Sequence, residues 1–151
     1  MQKNNLALVK ELRSLCGAGV SDCQKALQEA KGDVKKALII LQKQGQEIAA
    51  KKAEREAREG VVAAYVHANQ KIGAMVVLSC ETDFVARTGE FKNLAYELAM
   101  QVAAMAPTSN EELLEQEYIR DPQIKVKELI AQAVGKIGEN IKIKEFTRLE
   151  V

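Results

Sequence analysis

The sequence contains few of the side chains from which metal sites are built. Its 151 residues include one histidine, His67, and three cysteines, Cys16, Cys23 and Cys80, with no CxxC pair among them. A structural zinc site usually needs four such ligands at characteristic spacings. We therefore expect no metal site.

The chain also lacks a surplus of charge of either sign, and it is poor in aromatic residues. It has 22 basic and 21 acidic residues, a net charge of +1, no tryptophan and only 4% aromatic residues. Nucleic-acid-binding proteins commonly carry clustered positive charge, and single strands are held largely by aromatic stacking. The composition argues against nucleic acid as a direct partner.

Long apolar runs are missing as well. No stretch approaches the roughly 18 apolar residues that a membrane span requires, and the first residues lack the apolar centre of a signal peptide. An odd number of cysteines without a paired pattern fits reduced thiols in the cytosol. We expect a cytoplasmic protein that does not engage a membrane.

The usual signatures of enzymatic chemistry are absent. Gly17-Ala18-Gly19 has neither the spacing nor the preceding strand of a nucleotide-binding glycine loop. His67 and Cys80 could be read as a base and a nucleophile, but they fall on neighbouring predicted strands with no marked third partner. A structural histidine and a buried thiol are the favoured interpretation. We expect a protein that is no enzyme, needs no cofactor and acts by binding another protein.

Three short helices are predicted for residues 1–44. Apolar residues recur at helical spacing over about 4–16. Ser21 and Gln24 form a capping-box signature at the start of the second helix, and Asp33 can cap the third. Glycines mark the breaks between the helices: Gly17, Gly19 and Gly32. Such a small unit buries little apolar surface, so it must be stabilised by contacts with the rest of the chain or with a partner.

A linker helix is predicted for residues 45–59. The segment is rich in Ala, Lys, Arg and Glu, and opposite charges stand four residues apart, as in Lys52 and Glu56. A solvated helix is favoured over the alternative, a phosphate-binding patch, because glutamates interrupt the basic residues. Those basic residues are Lys51, Lys52, Arg55 and Arg58.

Residues 60–151 are predicted to form an α+β unit. Two β-branched apolar runs indicate an antiparallel hairpin whose second strand is buried on both faces, and two amphipathic segments indicate helices ended by Pro107 and Gly138. A final alternating segment slips phase and indicates a closing strand with a bulge. The expected strands are 61–67, 72–80 and 141–151, and the expected helices are about 91–105 and 126–137. This pattern predicts an α+β fold in which helices pack on a roughly three-stranded antiparallel sheet.

The segment Cys80–Arg87 is the most unusual, because it places Phe84 and Val85 between polar residues directly after a buried strand. In one interpretation Thr82 or Asp83 caps a helical turn and Phe84 fills the local core. In the other, Phe84 is an exposed hydrophobic anchor and Asp83 orients it through charge-assisted hydrogen bonds. The residues alone leave both interpretations open.

Several ordered motifs lie in the N-terminal module, in the Cys80–Arg87 segment and near the C-terminus, and together they span nearly the whole chain. Their residues are Leu12-Arg13, Gly17-Ala18-Gly19-Val20, Asp22-Cys23, Lys25-Ala26-Leu27, Ala49-Ala50-Lys51-Lys52, Cys80-Glu81-Thr82-Asp83-Phe84-Val85-Ala86-Arg87, Lys127-Glu128-Leu129-Ile130 and Lys136-Ile137-Gly138-Glu139-Asn140-Ile141. In this order they resemble the translation elongation factor Ts family.

This resemblance implies a guanine nucleotide exchange factor for elongation factor Tu. It implies a ubiquitin-associated-like helical module that docks on the partner's nucleotide-binding domain, and an α+β core. Asp83 and Phe84, with Thr82 and Val85, are then expected to intrude near the partner's magnesium and phosphates and to weaken GDP binding. Further contacts are expected from the module and the linker: Leu12, Val20, Ser21, Lys25, Lys51 and Lys52.

The chain departs from the family pattern at three places. Gln24 stands where a lysine is common, the segment between Met105 and Tyr118 is short, and 116–119 replaces a proline-containing turn. Because only one copy of the core is present, similarity to other short members implies a homodimer.

Two alternatives to exchange activity remain at this point. The chain could be an adaptor whose helical module binds a helical or ubiquitin-like surface while the core only dimerises. It could also bind nucleic acid through the linker helix, which would make binding steeply salt-dependent.

Overall fold

The computed structural model describes residues 2–151, with side chains from residue 5 onward. Contacts divide the chain into two compact units: unit 1 runs to Lys51 and also includes Ala131–Gly138, and unit 2 comprises Lys52–Ile130 and Glu139–Val151. The helices are α1 (Gln2–Cys16), α2 (Val20–Glu29), α3 (Val34–Lys52), α4 (Asp83–Ala86), α5 (Gly89–Met105), α6 (Asn110–Glu115) and α7 (Val126–Ile137). The strands are β1 (Glu59–Val66), β2 (Ile72–Cys80), β3 (Glu117–Tyr118), β4 (Asp121–Lys125) and β5 (Lys142–Glu150).

Unit 1 is built around the three N-terminal helices that the sequence predicts. Their apolar stripes meet in one core, as expected for amphipathic helices that cannot bury their faces alone. The buried residues are Val9, Leu12, Cys23, Ala26, Leu27, Ala30 and Ala37. No helix within the described residues 2–151 is long and apolar enough to cross a membrane.

The breaks between these helices follow from glycine and capping chemistry. Gly32 ends α2 at φ +84°, a conformation that side chains with a Cβ rarely adopt. Asp33 caps α3 as predicted, since its Oδ1 accepts from the Lys36 amide at 3.1 Å. The predicted Ser21 cap is wrong: α2 begins at Val20 after Gly19, so Ser21 lies within its first turn.

Helix α3 runs without a break through Gly45 to Lys52. Gly45 is buried, and a Cβ there would lie 3.4 Å from the Ala131 carbonyl oxygen near the middle of α7. The glycine permits this close helix crossing, which offsets its low helix propensity. Residues 45–52 are therefore the end of α3, and residues 53–58 form no helix, so the separate linker helix predicted over 45–59 is wrong. The division of the chain at residues 44 and 59 stays a prediction.

Unit 2 has the α+β architecture that the sequence predicts. Strands β1, β2 and β5 form an antiparallel sheet in the order β1-β2-β5. The pairing of β2 with β5 shifts between Val77 and Leu78, so that these neighbours face Glu145 and Ile143 and leave Lys144 as the extra residue. This bulge confirms the phase slip read from the sequence.

The two faces of the sheet differ in what covers them. Helix α5 packs on one face, where Ala74, Val76 and Leu78 of β2 are buried. On the other face Met75 is 47% exposed. The expectation that β2 is buried on both faces is thus wrong for its first half and holds at its end, where Leu78–Cys80 are buried.

A second, two-stranded sheet of β3 and β4 was not foreseen from the sequence. It is tied to α5 by Gln101, which is fully buried. The Gln101 amide nitrogen donates to the Glu117 carbonyl at 3.0 Å, and its oxygen accepts from the Ile119 amide at 3.0 Å. A buried amide needs such partners, and these hold the ribbon in place.

A substitution at Gly60 tests the pairing of β1 with β2. A Cβ at this position would lie 2.1 Å from the Leu78 carbonyl oxygen and 2.9 Å from the Ser79 Cα, both backbone atoms that cannot rotate away. We expect Gly60→Ala to lower the free energy of unfolding by about 3 kcal/mol or more, measured by chemical denaturation. Gly89→Ala is the control, because no heavy atom lies within 4 Å of its Cβ position. Equal stability of the two variants would contradict the strand pairing.

Candidate functional site

The candidate site is the turn between β2 and α5, residues 80–88, and two successive caps define its path. Thr82 caps the single-turn helix α4, its Oγ1 accepting from the Val85 amide at 3.4 Å. Thr88 caps α5 in the same way, accepting from the Phe91 amide at 3.3 Å. Each cap satisfies a backbone donor that the helix start leaves unpaired.

Phe84 projects from this turn into solvent. It is 78% exposed, whereas the following residues Val85 and Ala86 turn inward and are half-buried and buried. The first interpretation of the sequence is therefore right about the Thr82 cap and wrong about Phe84, which fills no local core. An exposed phenylalanine on a fixed turn has the geometry of a hydrophobic anchor.

Asp83 lies beside Phe84 and keeps part of its carboxylate accessible. Its side chain is 46% exposed, and Oδ2 lies 2.8 Å from the guanidinium of Arg87, one helical turn further on. Such an exposed pair contributes little to stability. The carboxylate is thus oriented by Arg87 while remaining open to a partner.

Glu139 holds the start of the turn from a distant part of the sequence. Its Oε2 accepts from the backbone amides of Glu81 and Thr82, both at 3.0 Å, and its Oε1 accepts from Thr82 Oγ1 at 2.6 Å. Glu139 directly follows Gly138, which ends α7 at φ +86°. Hydrogen bonds to an ionised carboxylate are among the stronger ones in proteins.

Glu81 makes the reciprocal contact. Its Oε1 accepts from the Asn140 amide at 2.7 Å and lies 3.7 Å from the Arg55 guanidinium. Asn140 is itself buried, and its side chain donates to the Arg55 carbonyl at 2.6 Å. We call this exchange of contacts between 81–82 and 139–140 the glutamate clamp. No sequence pattern singles out Glu139, although both glutamates stand inside the ordered motifs.

Cys80, at the end of β2, is structural. It is fully buried and donates to the Thr82 carbonyl at 3.2 Å. Burial, together with the nearby charge of Glu139, raises the pKa of the Cys80 thiol to about 11, so the thiol stays neutral near pH 7.

His67 lies far from Cys80, beyond the opposite end of β2. Its amide donates to the Ile72 carbonyl, and its Nδ1 lies 3.0 Å from the Tyr65 hydroxyl. The length of β2 separates the two residues by about 27 Å, so they cannot act as a base and nucleophile pair. Among the side chains that the structure describes, no three His, Cys, Asp or Glu residues are grouped to hold a metal ion.

The four candidate residues of the N-terminal module are not equivalent. Val20, Ser21 and Lys25 are exposed at the start of α2, and Ser21 and Lys25, four residues apart, share one face of the helix. Leu12 is fully buried in the unit 1 core. Its assignment as a contact residue is therefore corrected: Leu12 packs the helices together and is inaccessible to a partner.

The basic residues at the end of α3 and after it do not gather into one phosphate site. Lys51 is exposed and Lys52 is half-buried in the last turn of α3. Arg58 pairs with Glu56 at 2.9 Å, and Arg55 faces Glu81. Since both guanidinium groups already face carboxylates, the solvated interpretation is favoured over the phosphate patch.

Comparisons with known proteins agree with the ordered motifs. A family model described as Elongation factor TS matches residues 81–151, which include Phe84 and both glutamates of the clamp. The chain is 43% identical to Elongation factor Ts of Thermotoga neapolitana, with 97% of this chain and 96% of that protein covered. It is 43% identical to that of Thermoanaerobacter pseudethanolicus, with 94% and 92% covered.

A third relative is Elongation factor Ts of Carboxydothermus hydrogenoformans, at 41% identity over 95% of this chain and 87% of that protein. The alignment with the Thermotoga neapolitana protein extends over 190 positions, more than the 151 residues of this chain, so that relative carries additional residues. Identity at this level over nearly the full length of both chains shows that this chain belongs to the elongation factor Ts family.

Proposed function

We propose that this chain is a guanine nucleotide exchange factor for elongation factor Tu in translation elongation. It acts in the cytoplasm by binding the GDP complex and promoting release of GDP, so that GTP can bind, and it performs no covalent chemistry. The observation that carries the proposal is the exposed Phe84 on a doubly capped turn. Membership of the elongation factor Ts family supports the choice of partner.

Thr82–Val85 would act on the partner's magnesium and phosphate site. Phe84 offers an apolar ring, and Asp83 offers a carboxylate. The negative charge of this carboxylate would compete with the phosphate groups for the attraction of the magnesium ion. An exchange factor need only bind the nucleotide-free partner more tightly than the GDP-bound partner. A coupling of roughly 5 kcal/mol shifts such an equilibrium by about four decades.

The N-terminal module would supply a second contact with the same partner. Val20, Ser21, Lys25 and Lys51 are exposed and therefore available for it, and the half-buried Lys52 at the end of α3 would lie at the border of this contact surface. Because Leu12 is buried, it is left out of this contact surface. The module would add affinity, and the Phe84 turn would act on the nucleotide site.

The open face of the three-stranded sheet supports a homodimer. Val62, Val66, Met75 and Leu149 lie on this face and are 47% to 73% exposed. Glu145 and Thr147 of β5 lie on the same face and would stand within or beside the contact. A second copy would cover the apolar residues and give each small core a third layer. The two copies would together supply the two cores of a longer factor.

The exchange function is tested by the release of labelled GDP from purified elongation factor Tu. We expect the chain to accelerate release and Phe84→Ala to lower the acceleration at least about tenfold, the effect of losing a central anchor. Met105→Ala is the control, because Met105 is an exposed apolar side chain, 47% accessible, at the far end of α5. No acceleration by the intact chain would refute the proposal, and stable binding without GDP release would support the adaptor.

The homodimer is tested by sedimentation at micromolar concentration. We expect the wild-type chain to sediment as a dimer, and Val62→Glu to sediment as a monomer, since burial of an unpaired carboxylate is costly. Asn93→Glu, on the exposed side of α5, should leave the dimer intact. A wild-type chain that is strictly monomeric and still fully active in GDP release would contradict the dimer.

A further inference from the structure

The turn that carries Phe84 cannot hold its shape by local forces alone. Helix α4 has four residues, and an isolated helix of one turn is unstable in water because its nucleation is unfavourable. The Asp83–Arg87 pair is exposed and adds little. The exposed position of Phe84 must therefore be imposed by contacts from elsewhere in unit 2.

Glu139 accepts three hydrogen bonds from the start of this turn. Its carboxylate fixes two consecutive backbone amides, those of Glu81 and Thr82, and also receives the Thr82 hydroxyl hydrogen. The same hydroxyl oxygen accepts from the Val85 amide. Thr82 therefore connects Glu139 by hydrogen bonds to the single turn of α4, which contains Phe84.

Glu139 is in turn held in place by its surroundings. Glu81 accepts from the amide of the next residue, Asn140, at 2.7 Å. The Asn140 side chain is buried and donates to the carbonyl groups of Ala53 and Arg55. A carboxylate anchored through its own backbone can position another group without moving itself.

We infer that Glu139 is a positioning residue for nucleotide exchange: by clamping Glu81 and Thr82 it keeps Phe84 and Asp83 presented in the arrangement that enters the partner's nucleotide site. The inference rests on the exchange function proposed above. Glu139 touches neither the nucleotide nor the magnesium ion in this role. Its action is to raise the fraction of complexes in which the turn is already formed.

A distinct kinetic signature follows. Association with the partner also uses the N-terminal module, so a loosened turn still permits the complex to form. In that complex, however, Phe84 would occupy the partner's nucleotide site for a smaller fraction of the time. The maximal exchange rate at saturating factor should therefore fall, while the concentration that gives half-maximal rate should change little.

The test measures GDP release from elongation factor Tu over a range of factor concentrations for Glu139→Gln and Glu139→Ala. The amide keeps the shape and part of the accepting capacity, so we expect a loss of several-fold for Glu139→Gln and of about tenfold or more for Glu139→Ala in the maximal rate. Glu111→Gln, which changes an exposed glutamate on α6, should match the wild-type chain.

A double-mutant cycle separates positioning from a general loss of stability. If Glu139 acts through the turn, Glu139→Gln should have almost no further effect in a Phe84→Ala background, because the group that it positions is gone. A general loss of folded protein would instead lower the rate by the same factor in both backgrounds. That additive result would overturn the inference.

Three further outcomes are decisive. A wild-type maximal rate for both Glu139 variants would refute the positioning role while leaving the exchange function intact. An increase in the half-maximal concentration at an unchanged maximal rate would refute it as well, since it would place Glu139 in affinity alone. If the wild-type chain does not accelerate GDP release, the proposed exchange function is refuted, and the positioning role of Glu139 is refuted with it.

Discussion

The candidate site depends on one reciprocal interaction, the glutamate clamp between residues 81–82 and 139–140. Each glutamate accepts backbone amide hydrogens from the segment that carries the other. Each carboxylate has its own backbone donors, and the Arg55 guanidinium, 3.7 Å from Glu81 Oε1, adds an opposite charge on the Glu81 side. Without the clamp, the four-residue helix that carries Phe84 would be held by its packing against β1 and β2 through the buried Ala86, and Thr82 would lose the carboxylate that fixes its amide and hydroxyl.

The rest of unit 2 supplies the frame on which the clamp is built. Strand β2 delivers Cys80 and Glu81 to the end of the sheet, and β5 starts directly after the segment that carries Glu139 and Asn140. Because β2 and β5 pair along their length, the two clamp segments meet at the same end of the sheet. The open face of that sheet is a different surface, so the proposed exchange contact and the proposed dimer contact use different residues.

Much of this fold could be predicted from periodicity and turn chemistry. The helices of unit 1, the hairpin of β1 and β2, and the bulge in β5 follow from apolar spacing and from the phase slip near Lys144. Errors arose where two local signals competed. Ser21 carries a capping signature, yet Gly19 takes the cap. The third helix, predicted to end by residue 44, continues through Gly45, which permits a close helix crossing.

The candidate site was harder to predict because its supporting contacts are distant in sequence. Phe84 could be singled out, but only the structure decides between core and surface. Glu139 lies 57 residues from Thr82, and no spacing rule relates such positions. Leu12 shows the opposite error: it stands in a quoted motif, while its burial reflects helix packing. A motif marks residues that matter without saying which of them a partner can reach.

If the glutamate clamp holds the turn carrying Phe84, that turn is already formed in the free chain. Amide hydrogen exchange of the uncomplexed protein, followed residue by residue by NMR, measures this directly. We predict that the Glu81 and Thr82 amides, both donors to Glu139, exchange at least about a hundredfold more slowly than in an unfolded peptide. Exchange of these two amides at unfolded-peptide rates, with the β2 amides still protected, would contradict it.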